Sequence, residues 1–448
     1  MSKLEKNDLI DWFVSGEKPR EDWKIGTEHE KFVFHEDSFK RVGYFGKSGI
    51  SELLNKLAEK NKWEKILENN NTIALRDHTG ASISLEPGGQ LELSGKPLEN
   101  LHQTCKETGL HLKMMKDVMS ELGLSMIGLG YDPKWSRSDQ NWMPKGRYEI
   151  MKNYMPKVGN LGLDMMLRTC TIQVNLDYFS EQDMVQKFQI SLALQSVATA
   201  LFANSPFIDG QASGYLSSRA MVWTDTDPDR TGVPGIVFDP NFGYESWLNY
   251  ILQVPMYFIY REGKYIDVSG QSFKDFMDGK LIGFEGQYPT IKDWEDHITV
   301  AFPEVRLKQY LEMRGADGGP WNIICALPAL WVGLLYDDQS QSEAFDLAKP
   351  LMDVGMLEEG RISAAKLGLG GKIGENSVEY LATEMLKISS SGLSRRNKLD
   401  KKGIDERQFL DPLFHILQNK ETGAEKLLKN YNNSWSKDIN KIFTESSY

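Results

Sequence analysis

The sequence predicts a mixed helix-and-strand protein: strands polar on one face line a single curved sheet, and a mostly helical region ends the chain. Three observations carry this. Four segments far apart in sequence alternate apolar and polar residues with the period of two that a strand imposes. Stretches of helical period interleave with them and then dominate after about residue 340. Finally, 448 residues with 40% hydrophobic content hold enough apolar material for a large core. Length alone suggests two or three domains or one large body. No repeat, low-complexity run or Pro/Ser/Gly-rich linker separates units, so the expected division is a mixed helix-and-strand body over 1–340 and a helical region over 341–448 packed on it.

In chain order, the first strand is 25–34, where Glu28 and Glu30 share a face with Phe32 and Phe34, and His29 points the other way. A helix is expected over 49–62. The second strand pattern, 82–94, breaks at Pro87-Gly88-Gly89; Glu86 precedes the break, and Gln90, Glu92 and Ser94 then oppose Leu91 and Leu93. Helices are expected over 98–122 and 182–203, the latter with Phe188, Leu192, Leu194, Val197 and Leu201 as a buried stripe. Between them, 168–178 sets Cys170, Ile172, Val174 and Leu176 against Thr169, Thr171, Gln173, Asn175 and Asp177. The last strand, 305–314, sets Leu307, Leu311 and Met313 against Arg306, Lys308, Tyr310, Glu312 and Arg314. The Gly315–Gly319 turn should end that strand. A buried helix follows over 321–336, and further helices are expected near 341–357, 375–392, 404–418 and 421–431.

Ordinary half-buried strands also alternate, their polar faces simply in water. The residue types argue for more than that here. Glu, Gln and Asn are poor strand formers, yet all four strands spend positions on carboxylates or amides. Pooled on one sheet, Glu28, Glu30, Glu86, Glu92, Gln173 and Glu312 would repel one another until a cation neutralised them. Hard oxygen donors suit Mg²⁺, with Mn²⁺ as the alternative, and magnesium bound by a few carboxylates is usually completed by substrate phosphates. Arg314, two positions from Glu312, would hold such a phosphate. The chemistry this suits is phosphoryl transfer, where positioning and charge neutralisation do most of the catalysis.

Other chemistries find no support. The net charge of 52 − 63 = −11 argues against nucleic acid and anionic membrane surfaces as partners. Three cysteines, with no CxxC pair, fit neither a disulfide framework nor a zinc site. The 321–336 stretch falls short of the roughly 20 residues a spanning helix needs. The first 21 residues resemble neither a signal nor a transit peptide, so a cytoplasmic protein is expected. A phosphate-binding loop, a GxGxxG turn and an HExxH motif are all missing, and Asp225, Asp227 and Asp229 have Arg230 where a calcium loop needs glycine.

Together the segments GTEHEKF, LEPGGQLELSG, MMLRTCTIQVNLD, LALQSVATALFANSPF, MVWTDTDPDRTG and FPEVRLKQYLEMRGADGGPW resemble the glutamate–cysteine ligases of plant and proteobacterial type, within the glutamine-synthetase-like carboxylate–amine ligases. The resemblance runs from about residue 20 to the C-terminal tyrosine. It implies an α+β fold, a curved and mainly antiparallel sheet with helices packed on its convex side. It also implies ATP-dependent joining of L-glutamate to L-cysteine through a γ-glutamyl phosphate, the first step of glutathione synthesis. Two or three Mg²⁺ ions would be held by Glu28, Glu30, Glu86, Glu92, Gln173 and Glu312. Arg314 with Glu312 would serve catalysis, and Arg314 with Lys308 the ATP phosphates. Arg147 and Arg219, with Arg168 and Arg230 behind them, are the candidates for the glutamate α-carboxylate, and Trp223 would wall the amino-acid pocket. Rival readings are a γ-glutamyl ligase for another amine and a non-catalytic relative; monomer and homodimer both stay open. Cys105 and Cys325 match one redox pair of the plant enzymes, whereas Val268 and Gly283 stand where the second pair is expected. Reduced, buried Cys105 and Cys325 in a bacterial cytosol are therefore expected.

Overall fold

The computed structural model describes residues 3–448. Its centre is a nine-stranded sheet of β1 (Ile25–His35), β2 (Glu64–Glu68), β3 (Asn71–Arg76), β4 (Ser82–Leu85), β5 (Leu91–Ser94), β6 (Leu124–Ile127), β7 (Thr171–Leu176), β8 (Val305–Leu307) and β9 (Leu311–Asp317). The spatial order is β8-β9-β7-β1-β5-β4-β3-β2, with β6 on the C-terminal half of β1. Every pairing within it is antiparallel. The register aligns the polar faces: Glu28 lies opposite Gln173, Glu30 opposite Glu92, and Glu312 opposite Asn175. On the reverse face, Ile25, Ile172, Val174 and Leu176 are buried in the main core.

The helices that position the sheet and its cavity are α1 (Ile50–Asn61), α2 (Leu101–Met119), α3 (Gly146–Tyr154), α4 (Glu181–Leu201), α5 (Ser218–Val222), α6 (Trp321–Leu335) and α7 (Val378–Arg396). Of these, α2 packs on β1, α4 on β8 and β9, and α6 on β1 and β7. Burying the apolar faces of β1 and β7 against α2 and α6 removes them from water at roughly 25 cal/mol per Å². Helix α4 is buried all round rather than along one stripe, because α7 and two other C-terminal helices close over the side away from the sheet. One contiguous core runs from Leu9 to Ile416. No described helix is long and apolar enough to cross a membrane.

Two elements differ from the sequence pattern. The 305–314 segment is a hairpin, β8 turning into β9, and β9 continues through the expected glycine turn to Asp317. Arg306 therefore faces Glu312 across the hairpin instead of sharing one strand with it. The 341–357 stretch divides between Asp338–Ala348 and Val354–Leu367, with Asp353 capping the second helix. The cysteines are also corrected: Cys105 and Cys325 form a disulfide, with Cα atoms 5.4 Å apart. Packing α2 against α6 brings the two within the range a disulfide spans. Cys170 is free and buried.

Candidate active site

The polar face of the sheet forms the floor of a cavity of about 270 Å³. Glu28, Glu30, Glu86, Glu92, Gln173 and Glu312 all line it. So do Arg147, Arg219, Trp223, Lys308 and Arg314. Arg168 and Arg230 do not. Arg168 ends the Gly162–Arg168 helix and pairs with Asp164 and Asp209, while Arg230 is fully buried against Asp227 and the Tyr257 ring. Both are held in ion pairs and lie outside the lining of this cavity.

One end of the cavity is acidic. The β4–β5 turn, closed by Gly89 at φ +80° and by the Glu86 N–H donating to the Gln90 carbonyl, brings Glu86 beside Glu92. One carboxylate oxygen each from Glu30, Glu86 and Glu92 lies within 4.8 Å of the others. Burial first, then Glu86 and Glu92, raise the Glu30 carboxyl well above its ordinary range. Burial and Glu86 push Glu92 up to about 7, and burial with Glu92 and Glu312 does the same to Glu28. This is how carboxylates behave when charge of one sign is pooled away from water. Neutral donors meet several of their oxygens: Glu30 accepts from the Thr171 N–H at 2.9 Å, Glu28 from Asn175 Nδ2 at 2.8 Å and Glu92 from Ser94 Oγ at 2.7 Å.

The other end is cationic. Arg306 grips Glu312 with two bonds of 2.7 and 3.2 Å, Arg314 approaches it at 3.2 Å and Lys308 at 3.6 Å. Burial alone would raise the Glu312 carboxyl, but Arg306, Lys308 and Arg314 outweigh it and hold the group far below the usual carboxylate range. Gln173 joins the two ends: its Nε2 donates to Glu28 at 3.3 Å and its Oε1 accepts from Arg314 at 3.0 Å. Arg219, on α5, lies buried at the wall; one guanidinium nitrogen donates to the Arg314 carbonyl at 2.9 Å and Nε has no partner. Arg147, at the start of α3, sits over Tyr148 and feels Glu86. Trp223 packs near Phe302, its ring Nε1 unpartnered.

Sequence reasoning passed over Arg306, Thr171 and Tyr148 as site residues. Arg306 and Thr171 were visible on the polar faces of their strands. Their roles came only with the hairpin register and with the Thr171 N–H that meets Glu30. Tyr148, whose hydroxyl bonds the Leu85 carbonyl, gave no periodic signal.

A family model described as glutamate-cysteine ligase family 2 matches residues 24–445. The chain is 52% identical over 448 residues to glutamate–cysteine ligase A, chloroplastic, of Oryza sativa subsp. indica, covering 99% of this chain and 88% of that protein. It is 51% identical to the chloroplastic glutamate–cysteine ligase of Medicago truncatula, covering 99% of this chain and 85% of that one. A crystal structure of the glutamate–cysteine ligase of Francisella tularensis in complex with AMP shares the fold, with a TM-score of 0.52 at 13% identity over 94% of this chain and 87% of that one. The relatives' names place them in the chloroplast, which overturns the cytoplasmic placement read from the first residues. With half of its residues identical to these ligases over nearly its whole length, the chain belongs to glutamate–cysteine ligase family 2.

Proposed function

We propose that this chain uses ATP to join the γ-carboxylate of L-glutamate to the amine of L-cysteine, the first step of glutathione synthesis. The observation that carries the reading is a buried cavity whose acidic end abuts a cationic one across a single glutamine. ATP and glutamate are both anions, so each needs a surface that offsets its charge before they can meet. Arg314 and Lys308 are the groups for the phosphate oxygens, and Glu312 with Arg306 holds them in place. Arg219 and Arg147 each have an unpartnered buried Nε at the cavity wall. Arg219, tied at 2.9 Å to the carbonyl of Arg314 and so next to the cationic end, is taken for the glutamate α-carboxylate, whereas Arg147 lies beside Glu86. Trp223 walls that pocket.

The Glu30, Glu86 and Glu92 donors also fit a divalent ion, since they are all oxygen and crowded within 4.8 Å of one another. Glu30, Glu86 and Glu92 would hold one Mg²⁺, and Glu28 with Gln173 and Glu312 would extend the set toward the phosphates. Bound magnesium supplies charge neutralisation between the γ-carboxylate and the transferred phosphoryl group. The chain's own share is to fix both anions in line, stabilise charge on the transferred group through Arg314 and keep water from the acyl phosphate. The cysteine amine then displaces phosphate, forming the amide.

The test is ADP release with glutamate and a panel of amines at saturating Mg²⁺–ATP. Cysteine should give the highest kcat/KM. Another amine outperforming it would reassign the acceptor, and no glutamate-dependent ADP with any amine would leave only a binding protein.

A further inference from the structure

The reaction assigned above uses Arg219, whose guanidinium donates one hydrogen bond, to the Arg314 carbonyl at 2.9 Å. Arg219 sits in α5, only five residues long, and no carboxylate lies within ion-pair distance of it among the described residues. Directly behind it, at the end of β9, Asp317 is fully buried. Its carboxylate accepts from Ser205 Oγ at 2.6 Å, from Ser217 Oγ at 2.7 Å and from the Asn204 N–H at 2.8 Å. Each serine passes the restraint on to α5. Ser217 is the helix N-cap, taking the Ala220 N–H at 3.0 Å, and Ser205 Oγ takes the N–H of Arg219 itself at 3.3 Å. The Ser218 N–H is tied to the Ser205 carbonyl at 2.9 Å.

Two features show that this arrangement is built in. The ladder between β7 and β9 shifts register between Met313 and Ala316, and beyond the shift Asp317 pairs with Thr171. A methyl group on Gly130 would fall on the Asp317 carboxyl, so the glycine leaves the room that this side chain occupies. Asp317 is also the strongest charged influence on the Arg219 guanidinium, ahead of Glu30 and Glu304.

We propose that Asp317 is a positioning residue for the glutamate site, orienting Arg219 toward the α-carboxylate through the hydroxyls of Ser205 and Ser217. The proposal rests on the reading of Arg219 given above. Asp317 does not touch substrate. A buried carboxylate accepting three short bonds can be replaced by an amide only if one acceptor becomes a donor, so the serine hydroxyls must turn and α5 loses its fixed start. The mechanism calls for Arg219 at one place to within a fraction of an ångström.

The experiment measures KM for glutamate and for ATP separately in Asp317→Asn, Ser217→Ala, Ser205→Ala and Arg219→Lys, with thermal melts to confirm folding. Preference for glutamate over 4-aminobutyrate, which lacks the α-carboxylate, is measured alongside. Asp317→Asn should raise KM for glutamate about tenfold or more and cut the preference by a similar factor, leaving KM for ATP within about twofold. Each serine variant should show the same pattern at about threefold or more, and these decide the matter if Asp317→Asn does not fold. Equal rises in both KM values, or an unchanged preference in folded protein, would reduce the network to plain structural support. Loss of preference in Arg219→Lys but not in the Asp317 and serine variants would overturn this proposal alone. An unaltered preference in Arg219→Lys would overturn the Arg219 reading and this proposal with it.

Discussion

Glu30, Glu86 and Glu92 bring carboxylate oxygens within 4.8 Å of one another, Glu28 feels the charge of Glu92, and the metal-free chain bears the cost of that arrangement. Glu28 and Glu92 are held near 7, chiefly by burial and then by their acidic neighbours. A carboxyl raised in the folded state favours folding while it stays protonated. That contribution is whole below the ordinary value near 4.5 and is lost as pH climbs through about 7. Metal-free protein should therefore melt at lower temperature at pH 8 than at pH 5.5. In Glu92→Gln much of that decline should vanish, leaving the variant about 1–2 kcal/mol more stable than the parent at pH 8 in chelator. The same change should reduce glutamate-dependent ADP release by about 100-fold or more, because a site residue needed for charge balance is gone. A variant that melts like the parent at both pH values, or that keeps full turnover, would remove Glu92 from the acidic cluster's function. These carboxylates were legible in the sequence because glutamates at strand positions are conspicuous. The arginines were not equally legible: Arg168 and Arg219 look alike in one dimension and are equally buried, and the ion pairs of the first with Asp164 and Asp209 separate it from the second.

Elements were readable where a single period ran unbroken, as in β1, β7 and α2, and misread where a turn lacked its usual residues. Lys308-Gln309-Tyr310 contains no glycine, proline or asparagine, so the β8–β9 hairpin looked like one strand. Full burial of α4 was hidden for a different reason, since an apolar stripe records one packed face and says nothing of small polar residues such as Ser191 and Ser196 that are buried on the others. The pairing of α6 with α7 shows how such contacts are made. Gly333 and Gly392 stand at the crossing, where a methyl group on Gly392 would fall on the Gly333 carbonyl. Ser389 bonds the Leu330 carbonyl at 3.0 Å beside it. Gly392→Ala should force the helices apart at a cost of about 1–3 kcal/mol, even though alanine is the better helix former. Denaturant melts would measure it; an unchanged or raised midpoint would show that the crossing has slack.

At the scale of the whole molecule the cavity is assembled from two stretches of chain. Glu28, Glu30, Glu86 and Glu92 all precede Cys105, whereas Arg147, Arg219, Arg306, Lys308 and Arg314 all lie between Cys105 and Cys325. The disulfide therefore closes a loop, 220 residues in sequence separation, that carries β6 to β9 and the entire cationic end, and it clips that loop to the helices behind the sheet. Its effect should fall mainly on the unfolded chain, where closing a loop this long removes conformational freedom. Replacing both cysteines with serine, or reducing the parent protein, should lower stability by roughly 2–5 kcal/mol. Denaturant titrations with and without reductant are the measurement. The parent should shift on reduction to the midpoint of the Cys105→Ser/Cys325→Ser variant, and the variant itself should not respond. A parent whose midpoint ignores reductant, with both thiols then shown by alkylation to be free, would mean that packing of α2 on α6 holds the two halves of the cavity together without the bond.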